Sequence, residues 1–189
     1  MRHIAITGGI GSGKSYVCKL LGKFGISVYD SDDAAKRLYY TDLQLQEELK
    51  KLVGEDVYIG NILQKRVLAK FLLASEENKQ AADNAIHPAV ARDFLQSGKE
   101  WLESAILFDS GFYRRIKFDY VVCVTAPLQL RIDRVMRRDG ISREKTLEWI
   151  NRQWPQDKVA KLSDFVIIND GQHNIETQIK EILQSLQTN

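Results

Sequence analysis

Apolar positions along this chain fall into two rhythms. Short apolar runs occur at Ile4 to Thr7, Ile26 to Tyr29, Trp101 to Phe108, Tyr120 to Thr125 and Phe165 to Ile168, and these read as strands. Between them apolar residues recur at helical spacing. Val17, Leu20, Leu21 and Phe24 mark a helix over Tyr16 to Phe24, which Gly25 ends. Ala34, Ala35 and Leu38 mark a second. Thr41 to Leu52, with Thr41 as cap, Lys65 to Leu73 and Glu76 to Ile86 read as three more, and Gly54 to Leu63 as irregular chain or a small hairpin. Ile86-His87-Pro88 breaks this run, and Pro88 suits the first turn of a further helix, Ala89 to Gln96. Pro127 opens a basic helix to Arg138, Ser142 caps another from Arg143 to Trp154, and Ile175 to Leu186 closes the chain with one apolar face.

Strands alternating with helices predict an α/β protein with a parallel sheet. Tyr120 to Thr125 is apolar without interruption, as a strand covered on both faces requires. The expectation is a three-layer fold around five parallel strands. Its core is drawn at residues 1–32, 89–133 and 156–189. Residues 33–88 form a helical insertion suited to substrate recognition, and residues 134–155 a basic, lid-like arm.

Composition narrows the function classes. A chain of 189 residues with 44% hydrophobic and 28% charged residues builds a core and is not disordered. Its net charge of +2 provides no global field for nucleic acid, so anion binding must come from local groups. Cys18 and Cys123 make neither a disulfide framework nor a metal knuckle, and read as buried thiols of a reducing cytoplasm. No apolar run approaches the ~18 residues that span a bilayer. The expectation is a cytoplasmic protein, monomeric or weakly self-associating, with no membrane or nucleic-acid partner.

The chemistry centres on Gly8-Gly9-Ile10-Gly11-Ser12-Gly13-Lys14-Ser15, between the first strand and the first helix. Glycines let backbone N–H groups turn inward onto a phosphate, and the helix aims its positive end at the same point. Lys14 then reaches the β- and γ-phosphates of a nucleoside triphosphate, and the Ser15 hydroxyl ligates Mg²⁺. Asp30 and Asp32 end the second strand; an extended backbone would direct both the same way, toward the loop. Either can orient a hydroxyl and accept its proton, while Ser31, Asp32 or Asp33 can equally cap a helix. Asp109 follows an apolar strand and stands as a metal-side carboxylate, a turn residue or a substrate ligand. Arg131, Arg134 and Arg138 share a helix face, with Arg137 just off it, and form either a phosphate clamp or a solvated basic face. His87 is a structural residue or a donor to an anionic substrate. There is no N-K-x-D guanine signature, which counts against a GTP switch.

Thr7 to Ser15, Asp30-Ser31-Asp32, Leu63-Gln64-Lys65-Arg66, Ile86-His87-Pro88, Ile106-Leu107-Phe108-Asp109 and Arg137-Arg138-Asp139 occur in order over nearly the whole chain. The set resembles the dephospho-coenzyme A kinase family. That resemblance implies a P-loop nucleoside/nucleotide kinase core, a helical substrate domain and an arginine lid. It implies ATP with Mg²⁺ as co-substrate and metal, and phosphorylation of the ribose 3′-hydroxyl of dephospho-coenzyme A. By motif matching Asp32 takes the base position, and Gly9 and Gly11, Ser12, Gly13, Lys14, Ser15 and Tyr16 the ATP-phosphate positions. Asp30, Arg66, His87 and Asp109 fall on the substrate side, and Arg137 or Arg138 in the lid. Asn169 and Gly171 fall beside the adenine. Tyr16, Asp109 and Lys36 depart from the family's usual small hydroxyl residue, glutamate and arginine. A kinase of another small hydroxyl or nucleotide acceptor is the alternative.

Overall fold

A computed structural model describes residues 2–188. The chain divides into two compact units. One holds the described residues through Tyr29, Lys99–Tyr113 and those from Lys117 onward; the other holds Asp30–Gly98 and Arg114–Ile116.

The first unit is built on strands β1 (Ile4–Thr7), β2 (Val28–Asp30), β5 (Trp101–Glu103), β6 (Tyr120–Thr125) and β7 (Phe165–Ile168), in the order β2-β5-β1-β6-β7. β1 runs parallel to β5 and β6, and β6 parallel to β7. Ile4, Ile6, Val122, Val124 and Ile167 point to one face. There they bury against Val17, Leu20 and Leu21 of α1 (Lys14–Lys23) and Ile179, Ile182 and Leu186 of α9 (Ile175–Thr188). Each such side chain contributes about 1.5–3 kcal/mol of burial, so this apolar stripe is the main attraction between helices and sheet. Ala5, Leu102 and Cys123 alternate to the other face. The Cys123 thiol bonds Ser163, just past the short helix α8 (Gln156–Lys161), which the sequence pattern does not reveal. Between β6 and α8 lie α6 (Leu128–Asp139) and α7 (Arg143–Asn151); the Ser142 hydroxyl accepts the Lys145 N–H at 3.2 Å, the expected cap.

β5 is much shorter than the apolar run Trp101 to Phe108 predicts. A strand extends only as far as its partner. The last ladder bond runs from the Ser104 N–H to the Ile6 carbonyl at 2.9 Å, and β1 leaves the sheet one residue later. Leu107 and Phe108 are still buried, but in a turn closed by Ser110 and Gly111 N–H bonds to Ile106 and Phe108. Asp109 is therefore not at a strand end, and Glu103 is.

The second unit packs α2 (Ser31–Thr41), α3 (Leu43–Val53), α4 (Lys65–Ala74) and α5 (Glu76–Gln96) with a hairpin of β3 (Tyr58–Ile59) and β4 (Ile62–Leu63). Leu38, Leu45, Leu49, Val57, Leu63, Leu68, Ile86 and Phe94 form its buried interior. The break expected at His87-Pro88 is absent: α5 continues through Pro88. An interior proline costs about 3 kcal/mol, which burial of Ile86, Ala89, Val90 and Phe94 from the same helix more than offsets. Asp42, not Thr41, caps α3, accepting the Leu45 N–H at 3.0 Å.

Candidate functional site

Residues 8–13 leave β1 and enter α1 as a loop with Gly8, Gly11 and Gly13 at positive φ (144°, 78° and 97°). Glycine is required at all three: a Cβ on Gly8 would come within 2.3 Å of the Val124 carbonyl oxygen, one on Gly11 within 2.5 Å of the Arg131 carbonyl oxygen, and one on Gly13 within 2.0 Å of the Asn169 Nδ2. The shape of this loop is fixed from outside. The Arg131 Nε donates to the Ile10 carbonyl at 2.9 Å. The Arg134 Nη1 donates to the Gly11 and Ser12 carbonyls, each at 3.3 Å. Asn169 Nδ2 donates to the Ser12 carbonyl at 2.8 Å, and Arg134 Nη2 in turn donates to the Asn169 carbonyl at 3.0 Å and its Oδ1 at 3.2 Å. In a trans peptide the N–H of one residue points opposite to the carbonyl of the residue before. Pulling the carbonyls of Ile10, Gly11 and Ser12 toward α6 and β7 therefore turns the amides of Gly11, Ser12 and Gly13 the other way. The Ser12 N–H closes a turn onto the Gly9 carbonyl at 3.1 Å, which leaves those of Gly11 and Gly13. The first turn of α1 adds its own N–H groups and the positive end of its dipole. The result is a concave cluster of donors, suited to a phosphate.

Two further contacts steady the loop. The Ile10 N–H donates to Gln153 Oε1 at 2.7 Å, and the next residue's N–H, that of Trp154, donates to Asp109 Oδ2 at 2.7 Å. Lys158 Nζ lies 3.1 Å from the centroid of the Trp154 ring, a cation–π contact. The segment after α7 is thus tied both to the loop and to the turn that follows β5.

Lys14 is the second buried cation of this site, after Arg131. Its Nζ lies 3.6 Å from Glu103 Oε1, with side chains only 10% and 13% exposed. Glu103 pairs in register with Ile6, so the carboxylate stands at the carboxyl end of the strand beside β1. Both Lys14 and Arg131 act on the Cys123 thiol, which burial nonetheless pushes up to about 11, so it stays protonated and inert. Burial likewise lowers the Arg131 pKa; its hydrogen bond to the Ile10 carbonyl compensates part of that desolvation.

The expected site residues divide between the two units. Gly9, Gly11, Ser12, Gly13, Lys14, Ser15, Tyr16, Asp109, Arg137, Arg138, Asn169 and Gly171 belong to the first; Asp30, Asp32, Arg66 and His87 belong to the second. Ser15 and Tyr16 are exposed in the first turn of α1. Arg138 is exposed and forked onto Asp139 at 2.9 and 2.7 Å, and Arg137 beside it is exposed. Gly171 lies in an exposed turn at φ 86°. Arg66 is exposed near the start of α4. The extended backbone expected through Asp30 to Asp32 is corrected: α2 begins at Ser31. Asp30 is its cap, accepting the Asp33 N–H at 2.9 Å, and the exposed Asp32 follows inside the first turn. The cap residue is thus none of the three expected. His87 faces Asp83, one turn earlier on α5, at 3.7 Å. Burial lowers the His87 pKa, the Arg115 charge lowers it further, and Asp83 opposes both, so the imidazole is neutral at neutral pH.

Arg131 and Arg134 do share a helix face, but that face grips loop carbonyls. Glu103 and Gln153 escaped the sequence reading. For Glu103 a signal existed: it is the first acidic residue after Trp101-Leu102, at the height where the four-residue β1 gives way to glycines. Gln153 carries none, because its role depends on a contact 143 residues away in sequence.

The family model for dephospho-CoA kinase matches residues 2–174. The dephospho-CoA kinase of Bacteroides fragilis strain YCH46 is 43% identical over 190 residues, covering 97% of this chain and 92% of that protein. A crystal structure from Thermus thermophilus is similar with a TM-score of 0.79 at 33% identity, covering 99% of this chain and 96% of the other. The dephospho-CoA kinase from Campylobacter jejuni shares the fold with a TM-score of 0.66 at 21% identity, covering 98% of each chain.

Proposed function

The chain belongs to the dephospho-CoA kinase family, and we propose how its residues divide the work of that reaction. The protein is a kinase, transferring a phosphoryl group to an alcohol. Its acceptor is dephospho-CoA, phosphorylated at the ribose 3′-hydroxyl with ATP as donor to give coenzyme A and ADP.

The observation that carries this reading is the outward pull on the Ile10, Gly11 and Ser12 carbonyls by Arg131, Arg134 and Asn169. It leaves donors facing inward before any ligand arrives, so little reorganisation is needed when charge develops. Lys14 neutralises the terminal phosphates, and residues from Gly9 to Tyr16 hold the chain of phosphates by backbone. Asn169 and Gly171 lie toward the base of the nucleotide. Asp32 orients the acceptor hydroxyl and takes its proton, with Asp30 as its neighbour or alternate. Arg66, His87 and Asp109 serve the acceptor side. An arginine of the Arg137–Arg138 pair, released from Asp139, stabilises charge on the transferred group.

Among the described residues no group of three or more His, Cys, Asp or Glu side chains forms a metal cage. That fits magnesium, which takes one or two protein oxygens and fills its shell with water and phosphate. The exposed Ser15 hydroxyl in the first turn of α1 is a suitable ligand. The metal, when bound, neutralises and aligns the phosphates.

No helix among the described residues is long and apolar enough to cross a membrane. A cytoplasmic site of action is in keeping with Cys18 and Cys123, both of which are thiols. The test is ADP formation from ATP and Mg²⁺ with and without dephospho-CoA. Strong stimulation by dephospho-CoA and not by other nucleosides or small alcohols is the expected result. Equal stimulation by another acceptor would replace this substrate assignment.

A further inference from the structure

Arg131 carries a charge that no carboxylate of the protein balances. It is only 5% exposed, yet among the described residues it enters no ion pair. Its titration is governed by burial and by the Cys123 thiol, with no contribution from an acidic side chain. Its Nε donates to the Ile10 carbonyl at 2.9 Å. Its far end packs on Gly9, where a Cβ would lie 2.4 Å from Nη2 and 3.2 Å from the Gln153 Oε1. Lys14, the other buried cation of the site, has the Glu103 carboxylate at 3.6 Å. Arg134, one turn further along α6, is only half-buried and lies within reach of solvent screening. A buried charge without a counterion is costly, and a neutral side chain of similar shape is often tolerated as well or better. The bond to the Ile10 carbonyl needs no charge, because a glutamine Nε2 stands at the same place along the side chain as the arginine Nε. Holding the loop in shape therefore does not account for the guanidinium.

Resting on the reading of this loop as a nucleotide site, we propose that Arg131 is a specificity-determining residue that makes the loop favour a triphosphate over a diphosphate. It lies behind the loop and touches no phosphate; its charge acts across the backbone of Gly9 and Ile10. Because it is buried, salt screens it little. The amide donors of Gly11 and Gly13 hold phosphates one by one, in a triphosphate and a diphosphate alike. A full charge responds instead to the total charge of the ligand, and ATP with magnesium carries one more negative charge than ADP with magnesium. At an effective dielectric of about 20, an extra charge about 10 Å from a cation changes affinity on the order of tenfold. The protein is destabilised at this position in favour of its ligand, the usual trade between stability and function.

The experiment is calorimetric titration of the full chain with ATP and with ADP, each in excess Mg²⁺, beside thermal melting of the ligand-free protein. Arg131→Gln keeps a donor for the Ile10 carbonyl and removes the charge. Its ligand-free melting temperature should equal or exceed that of wild type, while its preference for ATP over ADP falls by about tenfold. Arg131→Lys keeps the charge and puts a methylene where the Nε was. Its preference should stay within about threefold of wild type, even if both affinities weaken. Should Arg131→Gln fail to fold, Arg131→Met, neutral and of similar length, takes its place with the same expected fall in preference. An unchanged preference in the folded neutral variant overturns the proposal, as does an equal loss of ATP and ADP affinity, a preference lost in Arg131→Lys, or a wild type that binds the two nucleotides equally. Absence of any ATP binding by the wild type would instead remove the nucleotide site itself, and this inference with it.

Discussion

Arg134→Ala deletes one guanidinium that donates to four oxygens: the Gly11 and Ser12 carbonyls at 3.3 Å and the Asn169 carbonyl and Oδ1 at 3.0 and 3.2 Å. Hydrogen bonds from a charged donor are worth roughly 1.5–3 kcal/mol each at good geometry. Two of these four are long, the side chain is half-buried, and water replaces part of what is lost. The Ser12 carbonyl also keeps its bond from Asn169 at 2.8 Å. A net loss of about 2–3 kcal/mol follows. For a chain of this length each kcal/mol moves the melting temperature by about 2–4 °C, so a fall of about 5–10 °C is expected. The same contacts orient the loop amides, so up to about 2 kcal/mol of the loss reappears as weaker nucleotide binding, about 30-fold in Kd. Arg134→Lys keeps the charge but not the fork and should fall between the two. Calorimetric ATP titration alongside thermal melting measures both effects. An Arg134→Ala protein that melts within about 2 °C of wild type and binds ATP equally well refutes the idea that carbonyls held from outside shape the phosphate cradle. Lost stability with unchanged affinity would show that Arg134 supports the fold and not the cradle.

Asp32→Asn should abolish transfer while leaving ATP affinity intact; near-normal turnover in steady-state assays would remove Asp32 as the base. Gly13→Ala puts a methyl group where φ is 97° and Asn169 Nδ2 stands at 2.0 Å, whereas Gly25→Ala meets nothing within 4 Å despite a φ of 79°. Both should cost about 1–3 kcal/mol of backbone strain in denaturant titrations, but only Gly13→Ala should also lose nucleotide binding. His87 has its pKa lowered by burial from an ordinary value of 6.5, so the unfolded chain binds that proton first. Its contribution to stability is therefore complete above about 6.5 and declines as pH falls toward the folded pKa. Asp83, raised by the same burial, acts in the opposite sense in the range above 3.8. His87→Gln should flatten the decline in melting temperature between about pH 7 and pH 5.5, and an unchanged slope would assign it to other groups.

The phosphate loop was legible because its signal is local: four glycines, a lysine and a serine in fixed order between a strand and a helix. The central strands were legible because burial on both faces leaves an unbroken apolar run, as at Tyr120 to Thr125. What stayed hidden depends on partners distant in sequence. The length of β5 is set by where β1 stops, so an apolar run ending at Phe108 pointed to Asp109 when Glu103 is the strand-end acid. Pro88 read as a boundary because its local cost is visible and the burial that offsets it is not. Helical spacing correctly grouped Arg131 with Arg134, but spacing does not say what a face touches. Asp30 as helix cap was missed because the strand and helix directly abut, leaving one residue to end the first and begin the second.

The loop's curvature does not reside in the loop. Its three outward carbonyls are restrained by side chains at 131, 134 and 169, and an amide by the side chain at 153, residues more than a hundred positions downstream. The glycine signature is accordingly not portable by itself. An octapeptide carrying the same letters, grafted between another strand and helix, would keep its freedom and lose its aim. Anyone transplanting this motif must carry over the scaffold of distant arginines and amides as well.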